Sequence, residues 1–549
     1  MKKGFLKRIA ALVLAAALSV SLAACASSSD TTDDASESAD ENVDAQTDDD
    51  TLVIAVSLDF TTVDTIVSYG TEQSLLISCV AERLFYFDEN SEVQPFLVES
   101  WEQEDDTTYV YQIRQDVTFS DGTQLTAEDV AFSLNRHLDE NNASQLAWMF
   151  EKVELIEQTG DYEVTVTLSE PDATWQYVLA TPAGDIISKA YYEENSEDFG
   201  TADGGLIGSG PYVITSWDTA EMDLEYNEDY WNADETQVGF TSIQFLSISD
   251  QSVVKTVLES GQIDLTQNIS LDTAKELEDN DSINIQATDY LGSTFLSYNT
   301  SQEPLDDAAV RQAILYGIDR EAILTDIIGE NYASIGKSLL FSEKIADSSA
   351  DLWGDYFDNE ETYSYDPEKA IALLEEAGYG DGLELTLKYT AADSTAENVA
   401  LYIQANLAEI GVTIQLEGID TSELYTLRYG GSDVRDYELL LTSWASDYPD
   451  PVGTIQPMYY SANSAAGGSN WAEYNNSEFD ALIDAQGSVT DAEERIAFLK
   501  EALDILSEDV PYAPLYNHYK VFATSSRVDY TFSTMVMYNL FVKDIQKAE

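Results

Sequence analysis

The sequence predicts an α/β fold, because a strand, a helix and a second strand follow one another in its second half. Residues 383–390 (LELTLKYT) and 412–419 (VTIQLEGI) are rich in apolar and β-branched side chains, which predicts strands. Residues 396–410 between them predict a helix that ends at Gly411. Such a unit joins two parallel strands by a crossover helix. Residues 436–444 predict a further buried strand.

The N-terminus predicts an export signal. Basic residues at positions 2–8 precede an apolar run of about 16 residues, which is short for a transmembrane helix. The run ends in LAAC at residues 22–25, which resembles the bacterial lipobox; an ordinary cleaved signal with an incidental cysteine is the alternative. We expect residues 1–24 to be a signal peptide. Cys25 would then carry acyl chains such as palmitate and anchor the protein on the outer face of the cell membrane.

An acidic segment follows the predicted lipidation site. Residues 26–50 contain ten Asp or Glu, no Lys or Arg and no aromatic residue. Such a segment buries no apolar surface, so we expect residues 25–50 to form a lipidated cysteine and a solvated tether. The second cysteine, Cys79, then has no partner for an intramolecular disulfide.

The charge and the missing motifs narrow the classes of function. Without the four basic residues of the predicted signal, 21 basic residues stand against 103 acidic ones, a net charge of −82. Such a surface repels nucleic acid. There is no HExxH, GxSxG or CxxC motif, and residues 331–338 resemble a P-loop but have Asn331 in place of its first glycine. We expect no cofactor and no metal site, and an enzyme would have to rely on carboxylates alone.

A turn and a helix at residues 119–134 (FSDGTQLTAEDVAFSL) are the most informative segment. Asp121 and Gly122 predict a hairpin-type turn. Thr126 and Asp129 have the spacing of a capping box, and apolar residues follow at helical spacing. Apolar or alternating runs predict three strands in this part of the chain: 51–59, 107–114 and 162–168.

The amino-acid sequence of this segment resembles the signature of the extracytoplasmic solute-binding proteins of ABC importers, family 5, which is the oligopeptide- and dipeptide-binding family. Two segments depart from the family pattern, VDT at 63–65 and ERL at 82–84. Further segments match it: VQPFLVESWE (93–102), GSGPY (208–212), YNEDYW (226–231), LESGQIDL (258–265), 298–324 and 365–379.

The resemblance implies a two-lobed fold like that of class II periplasmic binding proteins, with an additional inserted domain. Lobe I would comprise residues 51–84, 209–289 and 525–549. The inserted domain would be 85–208 and lobe III 290–524. We expect a monomer, not an enzyme, whose lobes close on a peptide and deliver it to an ABC permease. The same fold binding a nickel chelate, an opine or an oligosaccharide is the alternative.

The stretch SWASDYPDP at residues 443–451 follows a predicted strand, and ligands of open α/β sheets bind beyond the carboxyl ends of strands. In peptide-binding members, the first aspartate of this segment pairs with the α-ammonium group of the peptide, so the resemblance implies this role for Asp447. The resemblance and the aromatic surroundings add further ligand-site residues: Tyr69, Gly70, Thr71, Trp444, Ala445, Ser446 and Tyr448.

Several alternatives remain open at this segment. Asp450 lies between two prolines, which favours a turn or a helix cap. Trp444 is equally compatible with the core, and Asp447 with Asp450 could form a catalytic carboxylate pair. The residue that meets the peptide carboxylate is not determined; the basic residues considered are Arg311, Lys388, Arg428 and Arg435, of which Arg311 is expected to form a structural ion pair.

Overall fold

Two large mixed sheets form the framework of the protein, which confirms the predicted α/β class. The computed structural model describes residues 49–88, 90–341, 344–345, 349–532, 536 and 538–548. The predicted signal peptide, Cys25 and the tether up to residue 48 lie outside the described residues.

One sheet has seven strands, and the first strand of the chain lies at its centre because its apolar residues are buried on both faces. It pairs in parallel with both neighbours. It is shorter than the prediction of 51–59, because the Ser57 amide bonds the Glu72 carboxylate at 2.9 Å instead of extending the ladder. The spatial order is Tyr212–Trp217, Glu221–Tyr226, Ser242–Ser247, Thr51–Val56, Leu265–Thr266, Lys520–Ser525 and Ile283–Thr288.

The other large sheet has six strands and contains the predicted strand–helix–strand unit, with Leu383–Thr390 and Val412–Ile419 paired in parallel. The joining helix begins at Ser394, earlier than predicted, because the Asp393 carboxylate caps it. The predicted strand 436–444 begins only at Leu439, since Asp436 binds Lys388 at 3.0 Å. The spatial order is Ala333–Ile335, Tyr512–His518, Gly292–Tyr298, Leu439–Ala445, Leu383–Thr390 and Val412–Ile419.

A four-stranded antiparallel sheet forms a separate layer with the helix Ala127–Asn135. The capping box of Thr126 and Asp129 is present, and Gly122 has the positive φ of 82° that the predicted turn requires. The strands, in spatial order, are Val98–Asp105, Thr108–Ile113, Glu163–Leu168 and Val153–Gly160. Short two-strand pairs join Glu82–Arg83 to Asp185–Ile186, Phe85–Phe87 to Val93–Pro95, and Val528–Asp529 to Gln546–Lys547.

The helices cover the sheets, and their ends follow local capping signals. The helix Pro367–Glu376 has the predicted Asp366 cap and Pro367 at its first position, and Gly378 follows it with a φ of 93°. Within the described residues, no helix combines the length and the apolar character needed to cross a membrane. The other α-helices are Thr71–Val80, Trp175–Val178, Lys189–Asn195, Gln251–Glu259, Leu271–Leu277, Ala308–Tyr316, Arg320–Ala322, Ala350–Trp353, Thr421–Tyr429, Val452–Tyr459, Ser477–Gly487 and Ala492–Asp509.

The chain passes between the two large sheets at two closely spaced crossings. The first lies between Ile283–Thr288 and Gly292–Tyr298, and the second between Tyr512–His518 and Lys520–Ser525. The strand Lys520–Ser525 is thus paired in the seven-stranded sheet. The predicted boundary at residue 524 assigns nearly all of this strand to lobe III. The first crossing leads to Gly292, which pairs with Ala445 at the carboxyl end of the strand Leu439–Ala445.

Candidate functional site

Asp447 is a buried carboxylate just beyond the end of the strand Leu439–Ala445. Its side chain accepts a hydrogen bond from the Tyr538 hydroxyl at 2.6 Å, and the residue is 5% exposed. Burial raises the pKa of Asp447 to about 6, and the Tyr538 hydrogen bond opposes this rise. In the described part of the chain, no basic side chain lies within 4 Å of it. Such a group is suited to a cation that arrives with a ligand.

The residues around Asp447 are fixed by backbone bonds. The Ser446 amide donates to the Leu291 carbonyl at 2.9 Å, and the Ser446 hydroxyl donates to the Tyr448 carbonyl at 2.8 Å. Ala445 pairs with Gly292 in the sheet. The ring of Tyr448 stacks on Tyr177 with 5.8 Å between centroids, and so packs against the layer that contains the four-stranded sheet. The predicted site segment is therefore held rigidly between two parts of the fold.

Asp450 has a structural role. Its carboxylate accepts a hydrogen bond from the Val452 amide at 2.9 Å, which fits the turn among the two predicted roles, turn or cap. Both of its oxygens also accept hydrogen bonds from the Arg495 guanidinium, each at 2.9 Å. Asp450 is thus occupied by a buried partner, whereas Asp447 has no cationic partner in the described structure.

Tyrosines from distant segments surround Asp447. The ring of Tyr69 lies 6.2 Å from that of Tyr538. Burial raises the pKa of Tyr69, Tyr290 and Tyr538, and the Asp447 carboxylate contributes to each rise. Burial also raises the pKa of Tyr429, to which Asp447 contributes. Sequence reasoning found Tyr69 but missed the other three, because no local pattern marks them.

Gly70, the predicted residue next to Tyr69, borders open space. Gly70 is extended, with a φ of 163°, and a Cβ added to it would meet no atom within 4 Å. Thr71 begins the helix Thr71–Val80, and its carbonyl accepts a hydrogen bond from Gln267 at 3.2 Å. A ligand could therefore approach the backbone at Gly70 without meeting a side chain.

Trp444 lies at the boundary between the core and the site. It is half-buried, and its ring packs edge-to-face on Trp471 at 5.7 Å. Its indole Nε1 is buried and has no hydrogen-bond acceptor among the described residues. Both interpretations of Trp444 therefore have structural support, since the ring packs in the core while the N–H is available to a ligand.

Comparison with known proteins identifies the family. The family of bacterial extracellular solute-binding proteins, family 5 Middle, matches residues 92–466. The chain belongs to this family. The glutathione-binding protein GsiB of Salmonella typhimurium is 27% identical over 467 residues, which cover 84% of this chain and 88% of that protein.

Solved structures of other proteins share the fold. DppA of Helicobacter pylori, in complex with the peptide STSA, is 26% identical with a TM-score of 0.75, and the match covers 91% of this chain and 98% of that one. NikZ of Campylobacter jejuni, in complex with Ni(L-His), is 24% identical with a TM-score of 0.76 and shows the fold alone, with coverage of 91% and 100%. The predicted two-lobed periplasmic-binding-protein fold is confirmed.

In this family 5 protein, all four basic residues considered for a ligand carboxylate have partners among the described residues. Lys388 pairs with Asp436 and Glu423, and Arg435 with Glu473. The predicted ion pair of Arg311 is wrong. Its guanidinium bonds the backbone carbonyls of Leu305, Asp509 and Val510, because the nearby Asp307 carboxylate caps its own helix at Ala309.

Arg428 has no carboxylate within 4 Å in the described structure, but its guanidinium is not free. It donates to the Thr442 hydroxyl at 3.0 Å and to the Ser443 carbonyl at 2.9 Å. It also lies over the ring of Trp471, 4.5 Å from the centroid. These contacts fix it against the strand that leads to Asp447.

Two further features of the described residues bear on ligands. They contain no group of three His, Cys, Asp or Glu side chains that could hold a metal ion. A cavity of about 600 Å³ is lined by residues that include Tyr316, Trp353, Tyr356 and Lys500. It shares no residue with the group around Asp447, so it belongs to a different part of the surface.

Proposed function

We propose that this family 5 protein captures short peptides outside the cytoplasmic membrane and delivers them to the permease of an ABC importer. The observation that carries the proposal is Asp447, a buried carboxylate with no cation of its own among the described residues. The peptide complex of the related DppA supports a ligand of this class.

The α-ammonium group of the peptide would supply the missing cation. A hydrogen bond between charged groups contributes about 1.5–3 kcal/mol net. Removal of the carboxylate would cost roughly 3–5 kcal/mol if the ammonium group stays buried. The tyrosine side chains around Asp447 would exclude water from the site. This would strengthen the interaction between the Asp447 carboxylate and the ammonium group.

The remaining predicted residues would provide affinity without strong sequence selectivity. The backbone at Tyr69, Gly70 and Thr71 and that at Ala445 and Ser446 would bond an extended peptide along its main chain. The Nε1–H of Trp444, which has no acceptor among the described residues, would donate a hydrogen bond to a peptide carbonyl. Main-chain recognition suits an importer of mixed peptides.

Lobe closure and membrane attachment complete the proposal. The two lobes would close about the crossings near residues 289–291 and 519 and present a closed monomer to the permease. Cys25 would anchor the protein through its acyl chains. Replacement of Cys25 by Ser should move the protein from the membrane fraction to the soluble fraction without changing peptide binding.

Thermal unfolding of the non-acylated mature protein tests the peptide ligand. Peptides with a free amino group, present at about 100 times their dissociation constant, should add about 2.7 kcal/mol to the free energy of unfolding. N-acetylated peptides and Asp447→Asn should abolish the gain, and free amino acids are a further control. If sugars or metal chelates raise the Tm and peptides do not, the peptide proposal is overturned.

A further inference from the structure

Arg83 is a buried arginine in the segment ERL at residues 82–84, which departs from the family pattern. It is 4% exposed, and it belongs to the short strand that pairs with Asp185–Ile186. Its Nε donates a hydrogen bond to the Asp185 carboxylate at 2.9 Å. The second oxygen of this carboxylate is buried and has no hydrogen-bond donor among the described residues. The Asp185 side chain thus serves as the counter-charge that a buried guanidinium requires.

The other arms of the Arg83 guanidinium join segments that are distant in the chain. Nη1 donates to the carbonyl oxygens of Tyr538, at 2.9 Å, and Ala180, at 3.3 Å. Nη2 donates to the hydroxyl of Ser74, which lies in the helix Thr71–Val80. A planar guanidinium holds several acceptors in a fixed geometry, so Arg83 fixes the main chain at Tyr538 against this helix.

Tyr538 connects Arg83 to the candidate site. The residue is 3% exposed and lies outside the described helices and strands, so neither kind of backbone ladder holds it in place. Its carbonyl oxygen accepts the bond from Arg83, and its hydroxyl donates to Oδ1 of Asp447 at 2.6 Å. One residue thus joins the guanidinium, through its main chain, to the carboxylate, through its side chain.

The Tyr538 hydroxyl makes the two oxygens of Asp447 unequal. Oδ1 accepts its hydrogen bond, whereas Oδ2 accepts none from the described residues. A hydrogen bond to one oxygen fixes the rotation of the carboxyl group before a ligand arrives. Binding then costs less conformational freedom, which is the general advantage of a site that is held in its bound geometry.

We propose that Arg83 is a positioning residue of the ligand site: it fixes Tyr538, and Tyr538 holds Oδ1 of Asp447 so that Oδ2 is left for the ammonium group. The inference rests on the proposed peptide function and adds the residue that sets the orientation of the carboxylate. Arg83 does not touch the ligand and acts through Tyr538. The ERL segment alone does not reveal this role, because Tyr538 is 455 positions away in the chain.

The groups that act electrostatically on Asp447 determine what a pH profile of binding reports. Within the described structure, burial and the Tyr538 bond determine its pKa, and no basic side chain contributes. The described groups whose pKa values Asp447 affects are tyrosines, and burial raises each of these pKa values. They are Tyr69, Tyr290, Tyr429, Tyr448 and Tyr538. All five are neutral between pH 5 and 8, so a profile in this range reports the ionisation of Asp447.

Calorimetric titration of the mature protein with alanine peptides of two to five residues, between pH 5 and 8, tests the inference. The Tyr538 bond lowers the pKa of Asp447, so the loss of this bond in Tyr538→Phe should raise that pKa. The ammonium group needs the ionised carboxylate, so the affinity should begin to fall at a higher pH than in the wild type. At pH 6.5 we expect the affinity to decrease on the order of 10-fold.

The double variant Arg83→Met with Asp185→Asn removes the buried pair without leaving an unpaired charge. If Arg83 fixes Tyr538, this variant should shift the pH profile in the same direction as Tyr538→Phe. Adding Tyr538→Phe to it should then change little, because residues of one network do not act additively. Arg83→Lys replaces the double variant if the latter does not fold. It keeps a positive charge for Asp185 but lacks the forked guanidinium, and it should shift the profile in the same direction.

Asp264→Asn with Arg527→Met is the matched control. This pair also joins a buried aspartate to an arginine, at 3.0 Å, and Asp264 accepts further bonds from the Val53 amide and the Ser525 hydroxyl in the seven-stranded sheet. The control should leave the profile unchanged. A profile that Tyr538→Phe shifts and the Arg83 variants do not shift overturns the inference and leaves the peptide function intact. Shifts that add in full in the combined variant overturn it too, as does an unshifted profile in Tyr538→Phe.

If the wild type binds no peptide, the proposed function is wrong, and urea unfolding decides separately whether Arg83 orients Asp447. The difference in the free energy of unfolding between each protein and its Asp447→Asn counterpart follows the ionisation of Asp447. Its pH dependence should move to higher pH in Tyr538→Phe and in the Arg83 variants. Arg83 variants with the pH dependence of the wild type would contradict the positioning role.

Discussion

At the scale of single residues, Asp447 costs the unliganded protein stability. Its pKa in the folded protein is about 6, above the ordinary value of 3.8. The favourable contribution of the protonated group is complete below about pH 4 and is lost as the pH rises through 6. Asp447→Asn should therefore raise the free energy of unfolding by roughly 1–3 kcal/mol at pH 7.5 and leave it nearly unchanged at pH 4. Urea unfolding at both pH values measures this, and a variant less stable at pH 7.5 would contradict the expectation.

The same ionisation makes peptide binding depend on pH. The ammonium group of the ligand needs an ionised Asp447, and the carboxyl is protonated below about pH 6 in the unliganded protein. We expect the affinity for peptides to fall as the pH decreases from 7 to 5, up to about tenfold per pH unit below the pKa. Calorimetric titration at several pH values checks this, and a constant affinity across the range would exclude Asp447 as the partner.

Gly70 offers a test of where the ligand lies. Its backbone is extended and an added Cβ meets no neighbour, so Gly70→Leu should leave the stability of the unliganded protein within about 0.5 kcal/mol. The leucine side chain would fill space proposed for the peptide. We expect the peptide-induced rise in Tm to be lost in Gly70→Leu and reduced in Gly70→Ala. An unchanged rise would place the ligand elsewhere.

At the scale of elements, the loop after the strand Leu439–Ala445 is held by the buried pair of Asp450 and Arg495. Removing one partner leaves an uncompensated buried charge, so Asp450→Asn should lower the free energy of unfolding by roughly 3–5 kcal/mol. At Asp447, by contrast, the same Asp-to-Asn change is expected to raise the free energy of unfolding. Urea unfolding of both variants at pH 7.5 compares them.

The double variant Asp450→Asn with Arg495→Met is the control for the pair. It removes both charges and should recover part of the stability that Asp450→Asn loses. If the double variant is as unstable as the sum of the single ones, the two side chains do not act as a pair.

The elements that sequence reasoning predicted correctly depend on contacts between residues close in the chain. The capping box of Thr126 and Asp129, the Asp366 cap and the turn bond from Val452 to Asp450 each join residues two or three positions apart. Parallel pairing of the two predicted strands follows from a single short crossover. Boundaries shifted by two or three residues where a side chain such as Asp393 or Asp436 bonded outside the pattern.

The parts of the site that sequence reasoning missed are assembled from distant segments. Tyr290, Tyr429 and Tyr538 reach Asp447 only through the folded sheets, and Tyr is too frequent in this chain, with 33 residues, for any one to stand out. The hydrogen bonds of the Arg311 guanidinium likewise depend on backbone carbonyls almost 200 positions away in the chain. Neither periodicity nor spacing encodes such contacts.

At the scale of the whole molecule, the large negative charge opposes folding. The chain carries a net charge of −78, and like charges in the compact state repel one another. Salt shortens the Debye length from about 30 Å at 0.01 M to about 10 Å at 0.1 M. We therefore expect the urea midpoint of the mature protein to rise as NaCl increases from 0.01 to about 0.3 M, with KCl as a control for ion-specific effects. No change over this range would mean that the repulsion is already balanced by local pairs.

The position of the strand Lys520–Ser525 also determines when the molecule can be completed. Among the described residues, the strand Ile283–Thr288 has this late strand as its only neighbour in the seven-stranded sheet, and Leu265–Thr266 pairs with the late strand as well. A chain that emerges with its N-terminus first must therefore keep Ile283–Thr288 unpaired until more than 200 further residues have followed. The seven-stranded sheet, which contains the first strand of the chain, is therefore the later of the two large sheets to be completed. Truncation after residue 519 would therefore remove an interior strand of the seven-stranded sheet.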